Sequence, residues 1–271
     1  MAEEGRVLEL RQVLAELEEL LTRIGEGGNR ALSIAAAPPE AEEPEAEEPG
    51  PAGDAARYAE APEGASAESA FARLESPPSE TARPVSEYAT LEALQFAFRD
   101  CMACKLGQAR NRLVFGTGAS RPRLLFIGEG PGAEEDAQGL PFVGRAGALL
   151  TGFITALGLT RADVYITNVV KCRPPGNRTP EPDEVSSCRP ILSRQIELLD
   201  PTLIVTLGNV PLKALNPRAA GITKERGRMF PYLRWPVLPT FHPSYLLRYP
   251  RDIPACWRDF REAFREAYPQ A

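Results

Sequence analysis

The chain has 271 residues, 43% of them hydrophobic and 25% charged, with five cysteines and a single histidine. That is enough for one sizeable core, and no apolar run is long enough to span a membrane. Charge is unevenly divided: residues 1–100 carry 22 acidic and 8 basic side chains, a balance of −14, whereas residues 101–271 carry 15 and 23, a balance of +8. The basic part is suited to meet a polyanion, and the acidic part is poor in core-forming side chains.

In chain order, residues 1–30 come first. Val7, Leu8, Leu10, Val13, Leu14, Leu17, Leu20, Leu21 and Ile24 form an apolar stripe at helical spacing, which predicts one amphipathic helix. It either docks on an unidentified protein partner or stands as an isolated appendage. Residues 31–85 are rich in Ala, Glu and Pro with few large apolar side chains, and are expected to form a disordered acidic linker. The N-terminus opens acidic rather than basic and then apolar, so no signal peptide is read and a reducing cytoplasm is the expected compartment.

Residues 86–271 are expected to form one domain. A helix over 86–99 leads into Cys101-x2-Cys104, and a second pair, Cys172 and Cys188, follows 68 residues after Cys104. A two-residue gap lets one turn aim both thiolates at a single centre, and the distant pair completes a four-thiolate set for an iron-sulfur cluster or for zinc. Cys256 has no close partner and reads as a helix-packing thiol.

Between and after the cysteine pairs, apolar runs at 124–127, 164–167, 203–206 and 237–240 alternate with helical stretches at 145–157, 183–199, 209–215 and 256–267. The alternation predicts an α/β fold, three-layer α/β/α with a mostly parallel four-stranded central sheet. In such folds the site lies at the carboxyl ends of the strands. The residues there carry chemistry. Gly128-Glu129-Gly130-Pro131-Gly132 follows the first run, and it fits neither a dinucleotide fingerprint nor a P-loop. Asn168 follows the second run, with an amide able to read a planar imide. His242 follows the fourth, in a loop, Phe241-His242-Pro243-Ser244-Tyr245-Leu246-Leu247-Arg248, suited to pressing into a duplex while holding phosphate.

Taken together, Cys101-x2-Cys104, the Gly128 turn with Pro141-Phe142-Val143-Gly144, Thr167-Asn168 through Cys172-Arg173-Pro174-Pro175, Cys188 and His242 through Arg248 resemble the family 4 uracil-DNA glycosylases, the iron-sulfur type. The resemblance covers residues 88–268 and leaves the N-terminal arm unmatched.

It implies excision of uracil from DNA by hydrolysis of the N-glycosidic bond, leaving an abasic site for repair, with uracil-containing DNA as the partner of a monomeric enzyme. It implies a 4Fe-4S cluster on Cys101, Cys104, Cys172 and Cys188. Phe142 would stack on the extruded base, Asn168 would pair with its polar edge, and Gly130 would lend backbone amides. His242 would stabilise the departing uracil anion. Family 1 enzymes carry an aspartate where this chain has Gly130, so Glu129, Glu135 and Asn177 are the candidates for water or sugar geometry, Glu135 by supporting the turn. Leu246 is the expected wedge, with Tyr245 and Leu247 as rivals. Arg248, Lys171, Arg173 and Arg178 are the expected phosphate contacts. The alternative is a noncatalytic or covalent uracil-DNA binding protein with a four-cysteine metal centre.

Overall fold

The computed structural model describes residues 84–270. The helix expected over 1–30, and the linker up to residue 83, lie outside the described residues.

Six strands occur among the described residues: β1 (Thr117–Gly118), β2 (Leu124–Gly128), β3 (Tyr165–Asn168), β4 (Leu203–Leu207), β5 (Phe230–Tyr232) and β6 (Trp235–Thr240). The helices are α1 (Leu91–Phe98), α2 (Leu106–Ala109), α3 (Ala133–Gln138), α4 (Arg145–Ala156), α5 (Pro182–Leu199), α6 (Asn209–Leu215), α7 (Ile222–Glu225), α8 (Pro243–Arg248) and α9 (Ile253–Ala267). The helix expected from residue 86 begins only at Leu91, because the Thr90 side chain accepts the Ala93 N–H at 3.2 Å and caps it there.

The strands form one sheet in the order β1-β3-β2-β4-β6-β5. Its four central strands run parallel and are the four expected from the sequence. The expectation of a four-stranded sheet is corrected by the two edges, β1 and β5, which pair antiparallel to β3 and β6. Both edges are too short, and β5 too rich in proline, to announce themselves by alternation.

Alternate residues of the central strands enter different cores, as the two-residue period of a strand requires. Leu124 and Phe126 join Leu149, Phe153, Trp257 and Phe260 from α4 and α9 on one face. Leu125 and Ile127 join Leu94, Ile191 and Ile196 from α1 and α5 on the other. Phe153 stacks on Phe260 at 4.7 Å, which locks the first layer. The parallel register sets Gly128 beside Asn168 and Leu207 beside Thr240, so the strand ends open onto one side of the sheet.

Candidate active site

At those strand ends lies a cavity of about 500 Å³. Of the residues singled out in the sequence, it brings together Glu129, Gly130, Glu135, Phe142, Asn168, Asn177, Arg178, His242, Tyr245 and Arg248 on its wall. Lys171, Arg173 and Leu246 are not part of that wall.

Phe142 is almost wholly buried, and its ring packs over Gly128, where any side chain would collide with both that ring and Asn168 Oδ1. Its φ is +52°, a left-handed setting that costs a non-glycine residue about 1–3 kcal/mol and persists only where the surroundings enforce it. Glu135 is part of that enforcement. Its carboxylate accepts the backbone N–H groups of Val143 at 2.9 Å, Gly144 at 3.0 Å and Gly132 at 3.1 Å. With those bonds made, the Glu135 carboxylate braces the turn from the cavity wall.

Asn168 is 1% exposed, and among the described residues its Oδ1 has no hydrogen-bond partner. A buried carbonyl oxygen left unmatched costs about 1–3 kcal/mol, so this acceptor marks a place where a donor belongs. Its own backbone carbonyl is held by Lys171 Nζ at 2.6 Å.

His242 caps α8. The Ser244 N–H donates to His242 Nδ1 at 3.1 Å, and Ser244 Oγ lies 2.7 Å from the same nitrogen. An accepting Nδ1 leaves the ring proton on Nε2. Burial, and then the charge of Arg248, push the imidazole down to about 4, so it is neutral at physiological pH. The ring lies 5.6 Å from that of Phe142. The site therefore offers an aromatic face, an unmatched acceptor and a neutral N–H donor around one space.

Two of the expected DNA contacts, Lys171 and Leu246, are corrected. Lys171 is 1% exposed and donates to Thr167 Oγ1 at 2.8 Å as well as to Asn168 O, so it braces the end of β3 from inside. Arg178 makes two bonds to the buried Glu184 carboxylate, at 2.9 and 2.7 Å, at the start of α5, and keeps its place on the cavity wall. Leu246 is fully buried in the core. The six-residue helix α8 turns it inward and leaves its neighbour Leu247 exposed. Arg248 is exposed at the cavity mouth, joined there by Arg145, and Arg173 bonds Asn177 Oδ1 at 2.8 Å.

The sequence profile of the Uracil DNA glycosylase superfamily matches residues 115–269, more than half of the chain. The chain belongs to that superfamily. Among curated relatives it is 49% identical over 160 residues to a type-4 uracil-DNA glycosylase of Thermotoga maritima, covering 58% of this chain and 83% of the relative. It is 44% identical to the type-4 enzyme of Saccharolobus solfataricus (64% and 84% covered) and 38% identical to that of Archaeoglobus fulgidus (64% and 92%). These similarities place the glycosylase in family 4.

In this glycosylase the four cysteines named above occupy the side of the sheet packed by α1 and α5. Cys101 and Cys104 rest against the core in which Cys172 and Cys188 are buried. Burial raises the thiols of Cys104 and Cys172 and pushes that of Cys188 up to about 12, and the cysteines act on one another electrostatically. Arg110 Nη1 donates to Cys172 Sγ at 3.3 Å and to the Cys101 carbonyl at 2.5 Å. Among the described residues, no three metal-ligating groups are drawn in around a single point. Cys256 lies apart, fully buried in the opposite core with its Sγ 3.3 Å from Thr240 Oγ1, a packing thiol as its sequence context suggests.

Several residues of consequence carry no signal in the sequence. Ser244 stands inside the quoted histidine motif, and only its geometry shows that it fixes a tautomer. Arg110 and Arg161 bond mainly to backbone carbonyls, partners that side-chain motifs do not reveal.

Proposed function

We propose that this glycosylase, which excises uracil from DNA by hydrolysing the N-glycosidic bond and leaves an abasic site, does so with Phe142, Asn168 and His242 on the cavity wall. The orphaned Oδ1 of Asn168 carries that assignment.

Uracil presents an N–H at position 3, which an accepting carboxamide oxygen satisfies, and a carbonyl at position 4 for the NH2 of the same group. Cytosine presents a lone pair and an amine in those places. The mismatch leaves buried polar atoms unpaired and discriminates by about 1–3 kcal/mol for each lost bond. The Phe142 ring supplies the face on which the extruded base stacks.

As the glycosidic bond breaks, the electron pair passes to the base and negative charge collects on its carbonyl at position 2. The Nε2–H of neutral His242 donates to that oxygen, stabilising the anion without giving up its proton. Backbone amides of the Gly130 turn assist at other atoms. Glu129 and Asn177, both on the cavity wall, orient water toward the sugar.

Arg248 and Arg173 hold phosphates, and Leu247 takes the wedge role that the burial of Leu246 rules out. Cys101, Cys104, Cys172 and Cys188 hold a 4Fe-4S cluster. Four thiols brought to one side of the sheet, with an arginine donating to one sulfur, are the donor set that such a cluster takes. When bound, the cluster supplies cross-links between distant segments and takes no part in a reaction that has no redox step. The reading includes a monomeric enzyme of the cytoplasm.

Incubation with a uracil-containing oligonucleotide followed by alkali tests the residue assignment. Wild-type protein gives strand scission at the uracil position, and the triple variant F142A/N168A/H242A gives none. Scission at an undiminished rate by the triple variant overturns it. Iron content with visible absorption in anaerobically purified protein tests the cluster, against which a colourless zinc protein would count.

A further inference from the structure

The Phe142 turn is gripped from two sides by opposite charges. From one side the Glu135 carboxylate takes the amides of Val143 and Gly144. From the other comes Arg161, half-buried in the connection between α4 and β3 and outside the cavity wall. Its Nη1 donates to the Phe142 carbonyl at 3.0 Å and its Nη2 to the Pro141 carbonyl at 2.6 Å. Nη1 also lies 3.2 Å from Thr151 Oγ1, which anchors the guanidinium on α4.

One planar fork thus spans two successive carbonyls, a geometry that a lysine ammonium cannot reproduce. The turn has no slack toward α4, because a Cβ at Gly147 would collide with the Phe142 carbonyl. Glu135 fixes the segment after Phe142, and Arg161 fixes Phe142 and the residue before it. Without the second anchor, the left-handed φ at Phe142 has nothing to hold its carbonyl in place.

The geometry points to Arg161 as the residue that sets the height and tilt of the base-stacking ring, a positioning residue for uracil excision that acts through Phe142. This rests on the stacking role proposed above for Phe142. A displaced ring lets the extruded base tilt away from Asn168 and His242, and misplacement on the scale of an ångström is enough to slow a bond-breaking step.

The test is a double-mutant cycle. kcat and KM on a uracil-containing oligonucleotide are measured for wild type, R161Q, F142A and F142A/R161Q, with melting temperatures alongside. R161Q is expected to lower kcat/KM by roughly tenfold to a hundredfold. In the F142A background the same substitution should change kcat/KM by no more than about twofold, since the ring it positions is gone. R161K, able to reach one carbonyl at a time, should fall between wild type and R161Q, and it carries the cycle if R161Q does not fold.

An equal fold-loss in both backgrounds overturns the proposal, because Arg161 would then act by some route other than Phe142. So does R161Q at the wild-type rate. F142A slow with R161Q at the wild-type rate sinks the role of Arg161 alone, whereas F142A at the wild-type rate sinks the stacking role itself.

Discussion

Asn168 and Cys172 are four residues apart in one stretch of chain, yet their surroundings solve opposite problems. Around Asn168 the important groups are uncharged: an amide oxygen with no partner among the described residues, an aromatic ring, and an imidazole held neutral by burial. Around Cys172 they are ionisable thiols, raised by burial and by one another, beside an arginine that donates to sulfur. The first region suits a polar, uncharged ligand; the second suits a cation. On the proposed reading, recognition and bond cleavage fall to the uncharged groups, while the thiol corner cross-links the segment that follows β3.

The strongest way to break that division is at His242. H242A is expected to lower single-turnover excision by about 10²- to 10³-fold, the usual loss for one donor to a developing oxyanion, while cluster absorption stays unchanged. A coincident loss of absorption would join the two regions. The pH dependence sharpens the same point. With the folded imidazole near 4 and the unfolded one near its ordinary value of about 6.5, the active neutral form persists, so histidine titration slows excision only as pH approaches 4. Stability moves the other way from a salt-bridged histidine. The unfolded chain takes up the proton first, so the contribution is intact above about 6.5 and is lost progressively as pH falls toward 4. A melting-temperature series across that range checks the sign.

Next in size is Asn168. N168D places a second acceptor oxygen against the carbonyl at position 4 of uracil and is expected to cost about a hundredfold in kcat/KM, read on uracil-containing oligonucleotides. Retained activity would remove the carboxamide from the recognition scheme.

The thiol corner gives a smaller catalytic effect and a larger structural one. C188S should abolish the iron absorption and lower the melting temperature by several degrees, while excision by the remaining folded protein at low temperature falls less than about tenfold. A loss as deep as that of H242A would make the corner part of the chemistry. Smallest is R248A, expected to raise KM a few-fold and reduce the slope of log affinity against log salt by about 1, leaving kcat alone.

Much of this was legible in the sequence, for identifiable reasons. The four central strands are unbroken aliphatic runs, and the helices between them have the right period and length, so the layer order follows almost directly. The cavity residues follow because parallel strands deliver whatever comes next to one edge of the sheet. What was missed involves either direction or backbone. Leu246 and Leu247 cannot be ranked until α8 is seen to rotate one inward. Lys171 looks like a surface cation in a basic run, but it lies just past a buried strand and finds two internal acceptors. Arg161 bonds to two carbonyls of a strained turn, and neither the strain nor the carbonyls leave a mark in residue identity.

On the proposed reading, the unmatched oxygen of Asn168 meets the product as well as the substrate. A surface that greets its target by curing a local deficit will cling to the severed nucleobase as well, since the leaving group keeps the same polar edge as the nucleotide it came from. Escape of that fragment, more than scission, would then govern the pace of repeated turnovers, and added free uracil would slow the enzyme by refilling the gap.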